Sequence, residues 1–227
     1  MNEREHPERV GTCVLVRISG KLFLLTAGHV STDAGANQLH TISGPNGRTV
    51  GLPNGTSVTH DGSIELDVGV IPLPRNAMVV FDGCSPIDES EINESYTVDH
   101  SIGRNSIFVM GYSASRSQFR VNHVDKAIKQ SSLQFTGLAE SQEIYDREAM
   151  SSGHHLIVEF GSVRSGAQPA VPPTLQGVSG GGMFHLVTRD VDATVRLVAL
   201  ATEHRRSVEL IVGTRIEHFL KLAREMK

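Results

Sequence analysis

Cysteine is scarce in this 227-residue chain: Cys13 and Cys84 stand alone, at a spacing that fits no metal or redox motif. A disulfide framework is excluded, and both residues read as half-buried thiols. Long apolar runs are missing too, since none approaches the roughly 20 residues that cross a bilayer, so no membrane partner is expected. The amino-terminal MNEREHPERVGT is charged and has no apolar segment, which argues against a signal peptide and makes a cytoplasmic location the expectation. Concentrated positive charge is also lacking. Lys and Arg total 21 against 25 Asp and Glu, a formal charge of −4, and late in the chain the only tight basic cluster is Arg205-Arg206. Phosphate binding needs a concentrated basic face, so nucleic acid is excluded as a partner. No internal repeat is visible, and the length suffices for one large domain or two small ones.

What is present is a succession of strand signals. VGTCVLVRISGKLFLLT (residues 10–26) reads as two β-rich segments joined at Ser19-Gly20-Lys21, a hairpin with Gly20 in the turn. Residues 34–62, rich in Gly, Asn, Pro, Ser and Thr, read as short strands and loops in which His40 and His60 are surface residues. In IELDVGVIPL, Leu66, Val68 and Val70 alternate with Asp67, Gly69 and Ile71, the period of a strand. Residues 74–99 carry spaced acids on a solvated connection, and strands follow at 107–112, 156–160, 183–187, 197–201 and 208–212. Another hairpin is expected through 131–137, and 139–153 is a loop or short helix. Ile216, Phe219, Leu220 and Ala223 fall at helical spacing, which predicts a terminal helix over about 215–226.

Three features bear on chemistry. His29 follows the second strand in Ala27-Gly28-His29-Val30, where small neighbours leave its ring room to face a cleft. Asp67 sits among apolar residues, where an unpaired carboxylate is costly; an imidazole N–H is a natural partner. Ser179 lies in Gly177-Val178-Ser179-Gly180-Gly181-Gly182, whose glycines permit unusual backbone angles and close approach of a carbonyl to main-chain N–H groups. A hydroxyl nucleophile needs a base, the base needs a carboxylate, and the developing oxyanion needs donors. The glycine run is not a phosphate loop, because no Lys follows it and a strand comes next. Adjacent His154 and His155 would point to opposite faces of a strand and make a poor chelating pair, so no metal site is expected.

In the order His, Asp, Ser, the stretches LLTAGHV, LDVGVIPL and GVSGGGMF resemble the trypsin-like (chymotrypsin-fold) serine peptidases, with LVALATE similar to the strand that lines their substrate pocket. The resemblance implies an all-β fold: two perpendicular six-stranded antiparallel β-barrels with a C-terminal α-helix. The N-terminal barrel (1–98) would carry His29 and Asp67, and the C-terminal barrel (99–227) Ser179. It implies peptide-bond hydrolysis through an acyl-enzyme, with His29 as general base, Asp67 as its orienting carboxylate, Ser179 as nucleophile, the N–H groups of Gly177 and Ser179 as oxyanion hole, and neither metal nor cofactor. The partners implied are a protein or peptide substrate. The competing expectation is a catalytically silent peptidase fold that serves as a binding or regulatory module.

Departures from the pattern narrow this reading. Val178 stands where digestive members carry the aspartate that receives a newly cut N-terminus, and no Ile-Val-Gly-Gly start is present. The chain therefore looks more like intracellular bacterial members without N-terminal zymogen activation, restrained instead by an activating partner protein or a malformed oxyanion hole. By alignment with the resemblance, the specificity pocket would involve Pro173, Thr174, Thr202, Glu203, His204 and Ile211. No acid occupies the pocket-base position, which favours a small or apolar residue before the scissile bond; Glu203 is the route to a basic preference.

Overall fold

A computed structural model describes residues 11–32, 41–43, 49–51, 56–61, 64–98, 106–112, 132–160, 176–189 and 192–226 of the chain. The predicted first hairpin is formed by β1 (Val14–Ile18) and β2 (Lys21–Thr26), with Ile18 opposite Lys21. Its two-residue loop has positive φ at both Ser19 (50°) and Gly20 (77°), the type I′ geometry whose twist matches that of paired strands. A one-turn helix, α1 (Gly28–Thr32), follows β2 at once. Next come β3 (Thr41–Ser43) and β4 (Thr49–Gly51), which pair with each other, then β5 (Thr56–Asp61) and β6 (Ile64–Pro72). Between 74 and 98 lie two 3₁₀ segments, Arg75–Phe81 and Glu89–Glu91, and the two-residue β7 (Ile87–Asp88). The first sheet has the order β5-β6-β2-β1-β7, with β7 parallel to β1.

The second sheet runs β10-β13-β12-β11-β8-β9, from β8 (Ser106–Tyr112), β9 (Ser132–Leu138), β10 (His155–Glu159), β11 (Gly182–Arg189), β12 (Asp192–Arg205) and β13 (Leu210–Arg215). α2 (Gln142–Arg147) connects β9 to β10, and α3 (Ile216–Glu225) closes the chain. β9 alternates strictly, with Leu133, Phe135 and Gly137 buried and Ser132, Gln134 and Thr136 exposed, as a strand with one face on a core must. Leu133 and Phe135 join Ile107, Val109, Leu156, Val158, Met183 and Ile211 in that core.

The expected pair of closed six-stranded barrels is not what forms. The first sheet is mixed and uncurled. Its strands are covered on both faces, which leaves no interior to close around: Phe23 and Leu25 meet Leu66, Val68 and the α3 residues, while Leu24 and Ile71 meet Val80 and Phe81 on the other side. The second sheet is a half-barrel that curls through 195° and brings its edges to 5 Å without closing. A single bridge, Ala139 to Val158, spans that gap, because the chain leaves β9 there to enter α2.

The amphipathic terminal helix is present as predicted. Ile216, Phe219, Leu220 and Ala223 are all buried, against β1, β2 and β6 of the first sheet and Leu197 and Leu200 of the second. Cys13 and Cys84 are unbonded and pack beside the Leu24–Phe81 cluster, where burial pushes the Cys13 thiol up to about 12. The acids of the connection do more than face solvent. Asp88 pairs with Arg17, and Glu89 and Glu94 both pair with Arg224 of α3.

Candidate active site

β6 runs past the end of β2: its pairing with β2 stops at Thr26–Gly69, so Asp67 lies beside the chain that has just left β2. That chain is Gly28-His29, the start of α1. Both oxygens of the Asp67 carboxylate are used there. Oδ1 accepts the His29 backbone N–H at 2.8 Å, and Oδ2 lies 2.6 Å from His29 Nδ1. The contact requires glycine at position 28, since a Cβ there would stand 2.8 Å from Asp67 Oδ1. With Nδ1 held by the carboxylate, Nε2 is the ring's other nitrogen. The His29 side chain retains 41% exposure, so its ring is open to solvent.

Ser179 occupies the second position of a tight turn closed by the Gly181 N–H on the Val178 carbonyl at 2.7 Å. Gly180, at φ 85°, takes the third position, and Ser179 itself has no positive φ; this is a type II turn, in which that glycine is required. A trans peptide points its C=O and N–H in opposite directions, so the bond to Gly181 sends the Ser179 N–H away from the turn. Gly177, at φ 88°, shapes the preceding turn.

Thr12 fastens this loop, and the sequence reading missed it. Its Oγ1 donates to the Gly177 carbonyl at 2.7 Å and accepts the Tyr112 N–H at 3.0 Å, while its own N–H bonds the Ser179 carbonyl at 2.7 Å. Its carbonyl accepts from Thr26 Oγ1 at 2.6 Å, which closes the link to β2. Gly11, next to it, is sandwiched: a Cβ there would fall 2.5 Å from Val30 of α1 and 2.8 Å from the Ser179 carbonyl. Two of the three predicted catalytic groups are thus joined by hydrogen bonds, and the third stands on a turn packed against the segment that carries the first. No single-residue pattern announces Thr12; the only sequence signal was its place just before the first strand.

Beside the turn, Val178, Ser179, Ala201, Thr202, Glu203, His204 and Ile211 line one cavity of about 20 Å³. Four of the six predicted pocket residues therefore gather next to Ser179; Pro173 and Thr174 lie outside the described residues, as does His40. A register shift between Ala201 and Glu203 breaks the ladder there and separates β12 locally from β13. Thr202 turns inward and donates to the Val212 carbonyl at 3.3 Å. Glu203 is exposed, and its carboxylate accepts from Arg205 Nε at 3.1 Å, so its charge is already matched. The His204 ring meets Phe160 edge-on, and burial, helped by Arg206, keeps its proton affinity low.

Solved structures similar in fold to this chain include serine proteases. The serine protease domain of the Sesbania mosaic virus polyprotein superposes with a TM-score of 0.53 at 14% identity, over 93% of this chain and 84% of that one. Mouse neuropsin matches with a TM-score of 0.56 at 14% identity, covering 96% and 94%. A Glu endopeptidase matches at 0.50 and 10% identity, covering 99% and 93%. This chain has the fold of the chymotrypsin-like serine proteases. The likeness extends to the fold only: no protein-family model matches the sequence, and no curated protein matches it. Within that fold, β2 with α1, β6, and the turn before β11 carry the three groups picked out from sequence.

Proposed function

We propose that this protein is a serine endopeptidase that cleaves protein or peptide substrates through an acyl-enzyme. The observation that carries the reading is the two-point grip of Asp67 on His29. A carboxylate that fixes both the backbone and Nδ1 of one histidine does what a general base requires, and more than a structural histidine needs. His29 Nε2 takes the proton from Ser179 Oγ as the oxygen attacks the substrate carbonyl carbon. The N–H groups of Gly177 and Ser179 receive the oxyanion, and His29 returns the proton to the leaving amine. Water, activated by the same imidazole, then releases the acyl group. Val178, buried against Gly111 where an activating aspartate would stand, gives no purchase for a new N-terminus.

The test is labelling by a fluorophosphonate probe. Wild type is expected to react and Ser179→Ala to be inert, with His29→Ala strongly impaired and Asp67→Asn slowed by about 10³- to 10⁴-fold. Equal labelling of wild type and Ser179→Ala would remove the serine from the chemistry. Failure of the folded wild type to label would favour the silent binding module instead.

A further inference from the structure

We propose a divalent transition-metal site on the face of the molecule formed by α3 and the turn that leads into β10, built from His154, Glu217 and His218. His154 Nδ1 and His218 Nε2 lie 3.1 Å apart, and Glu217 Oε1 stands 3.6 Å from the same His218 nitrogen. One ligand atom from each of the three falls within 4.8 Å of the others. Two ligand atoms on a tetrahedral zinc ion at ordinary bond lengths are separated by about 3.3 Å, so both measured edges match a shared ion. Two imidazoles and one carboxylate form a donor set of borderline character that suits Zn²⁺, Co²⁺ or Ni²⁺ and discriminates against Ca²⁺ and Mg²⁺.

The three donors are half-buried, and their backbones are held. The His154 N–H bonds the Ser151 carbonyl at 3.0 Å, and its own carbonyl accepts the Arg215 N–H at 2.9 Å, immediately before α3 begins. Glu217 and His218 lie in the first turn of α3, where Glu217 also complements the helix dipole. Ion entry needs both facing nitrogens bare: the hydrogen between them is exchanged through solvent onto the other nitrogen of its own ring, so each imidazole binds as the neutral tautomer. A route in exists, because Glu217 and His218 also line an open cavity of about 530 Å³ with Glu94, Lys221, Arg224 and Glu225, and three protein ligands leave a fourth position for water from that side.

The site ties together parts distant in the chain. His155, next to one ligand, turns the opposite way, and its Nε2 meets the Glu65 carbonyl on β6 at 3.0 Å. An ion on His154 and His218 therefore ties the turn before β10 to α3, next to the His155 bond that already holds β6. The cavity on which the site opens shares no lining residue with the one beside Ser179. Along the chain His154 has only its neighbour His155 to pair with; its partner in space, His218, is 64 residues away.

The experiment is a Co²⁺ titration of the untagged, chelator-treated full chain, following the visible d–d absorption of the bound ion, then displacement by Zn²⁺ and thermal melting with and without Zn²⁺. The expected result is a saturable spectrum for one ion per chain, an upward melting shift with Zn²⁺, and loss of both in His154→Gln and His218→Gln, with weakened binding in Glu217→Gln. Absence of a saturable Co²⁺ spectrum in the folded wild type would overturn the proposal without recourse to any variant. So would a spectrum unchanged in a folded His154→Gln/His218→Gln double variant. Probe labelling of Ser179 is read separately, so failure here and failure of the peptidase reading are distinguishable.

Discussion

At the scale of single residues, hydrogen-bond geometry decides what each group can do. Thr12 is the clearest case, because one hydroxyl serves two backbone groups that flank the candidate oxyanion loop. Thr12→Val keeps the shape and deletes both bonds; it is expected to cost about 2 kcal/mol in urea denaturation and to slow probe labelling. Thr12→Ser should recover most of each. A labelling rate unaffected in the valine variant would show that the loop holds itself. Glu203 illustrates the converse. With its carboxylate committed to Arg205, it is not poised to hold a cationic substrate side chain. Peptide-library cleavage should therefore show a small or apolar preference before the scissile bond, the same in Glu203→Ala as in wild type; a basic preference lost in that variant would restore Glu203 to the pocket.

Among the elements, the contrast is between those whose partners are local in sequence and those whose partners are not. The β1–β2 hairpin and α3 were legible because a turn signal and a 3.6-residue period are properties of short stretches. β13 is displaced by a few residues from its expected place at 208–212, since the turn that precedes it continues to Glu209, at φ 53°. α3 is the element whose removal would be felt most widely, for it covers the first sheet and touches the second. Phe219→Ala is expected to destabilise by about 3–5 kcal/mol, read as a lower urea midpoint, through the cavity it opens between the sheets. By contrast the Arg224 pairs with Glu89 and Glu94 are exposed and contribute at most about 1 kcal/mol together. If Phe219→Ala were nearly neutral, the helix would be a passenger and not part of the core.

For the molecule as a whole, imidazoles drawn out of water set an acid limit on stability: His155, the most enclosed, has its proton affinity lowered by burial, and so do two that are partly buried. Burial lowers the proton affinity of His185, whose Nδ1 is enclosed beside Tyr96, and of His204, where Arg206 adds to the effect. In all three the fold favours the neutral ring, and unfolding restores ordinary values near about 6.5. Below that value the unfolded chain binds more protons than the folded one, so stability falls as pH drops from about 6.5 toward the lower folded values and is regained above it. Thermal melting from pH 7.5 to 5 should show this decline, flattened in His185→Gln and His204→Gln; a melting point flat across that range in wild type would contradict it.

Much of the candidate site could be read in the chain because its requirements are short-range: a small residue before His29, an alternating strand around Asp67, a glycine third in the Ser179 turn. The strand-rich character and the terminal helix were equally local. The sequence could not determine whether the sheets close, because closure depends on what covers each face and where an edge strand departs. Both are set by contacts between distant segments. The same holds for Thr12, whose partners at Thr26, Tyr112, Gly177 and Ser179 converge only in three dimensions. It holds again for His154, which finds His218 because the turn before β10 and the start of α3 are pinned side by side by the Arg215–His154 backbone bond.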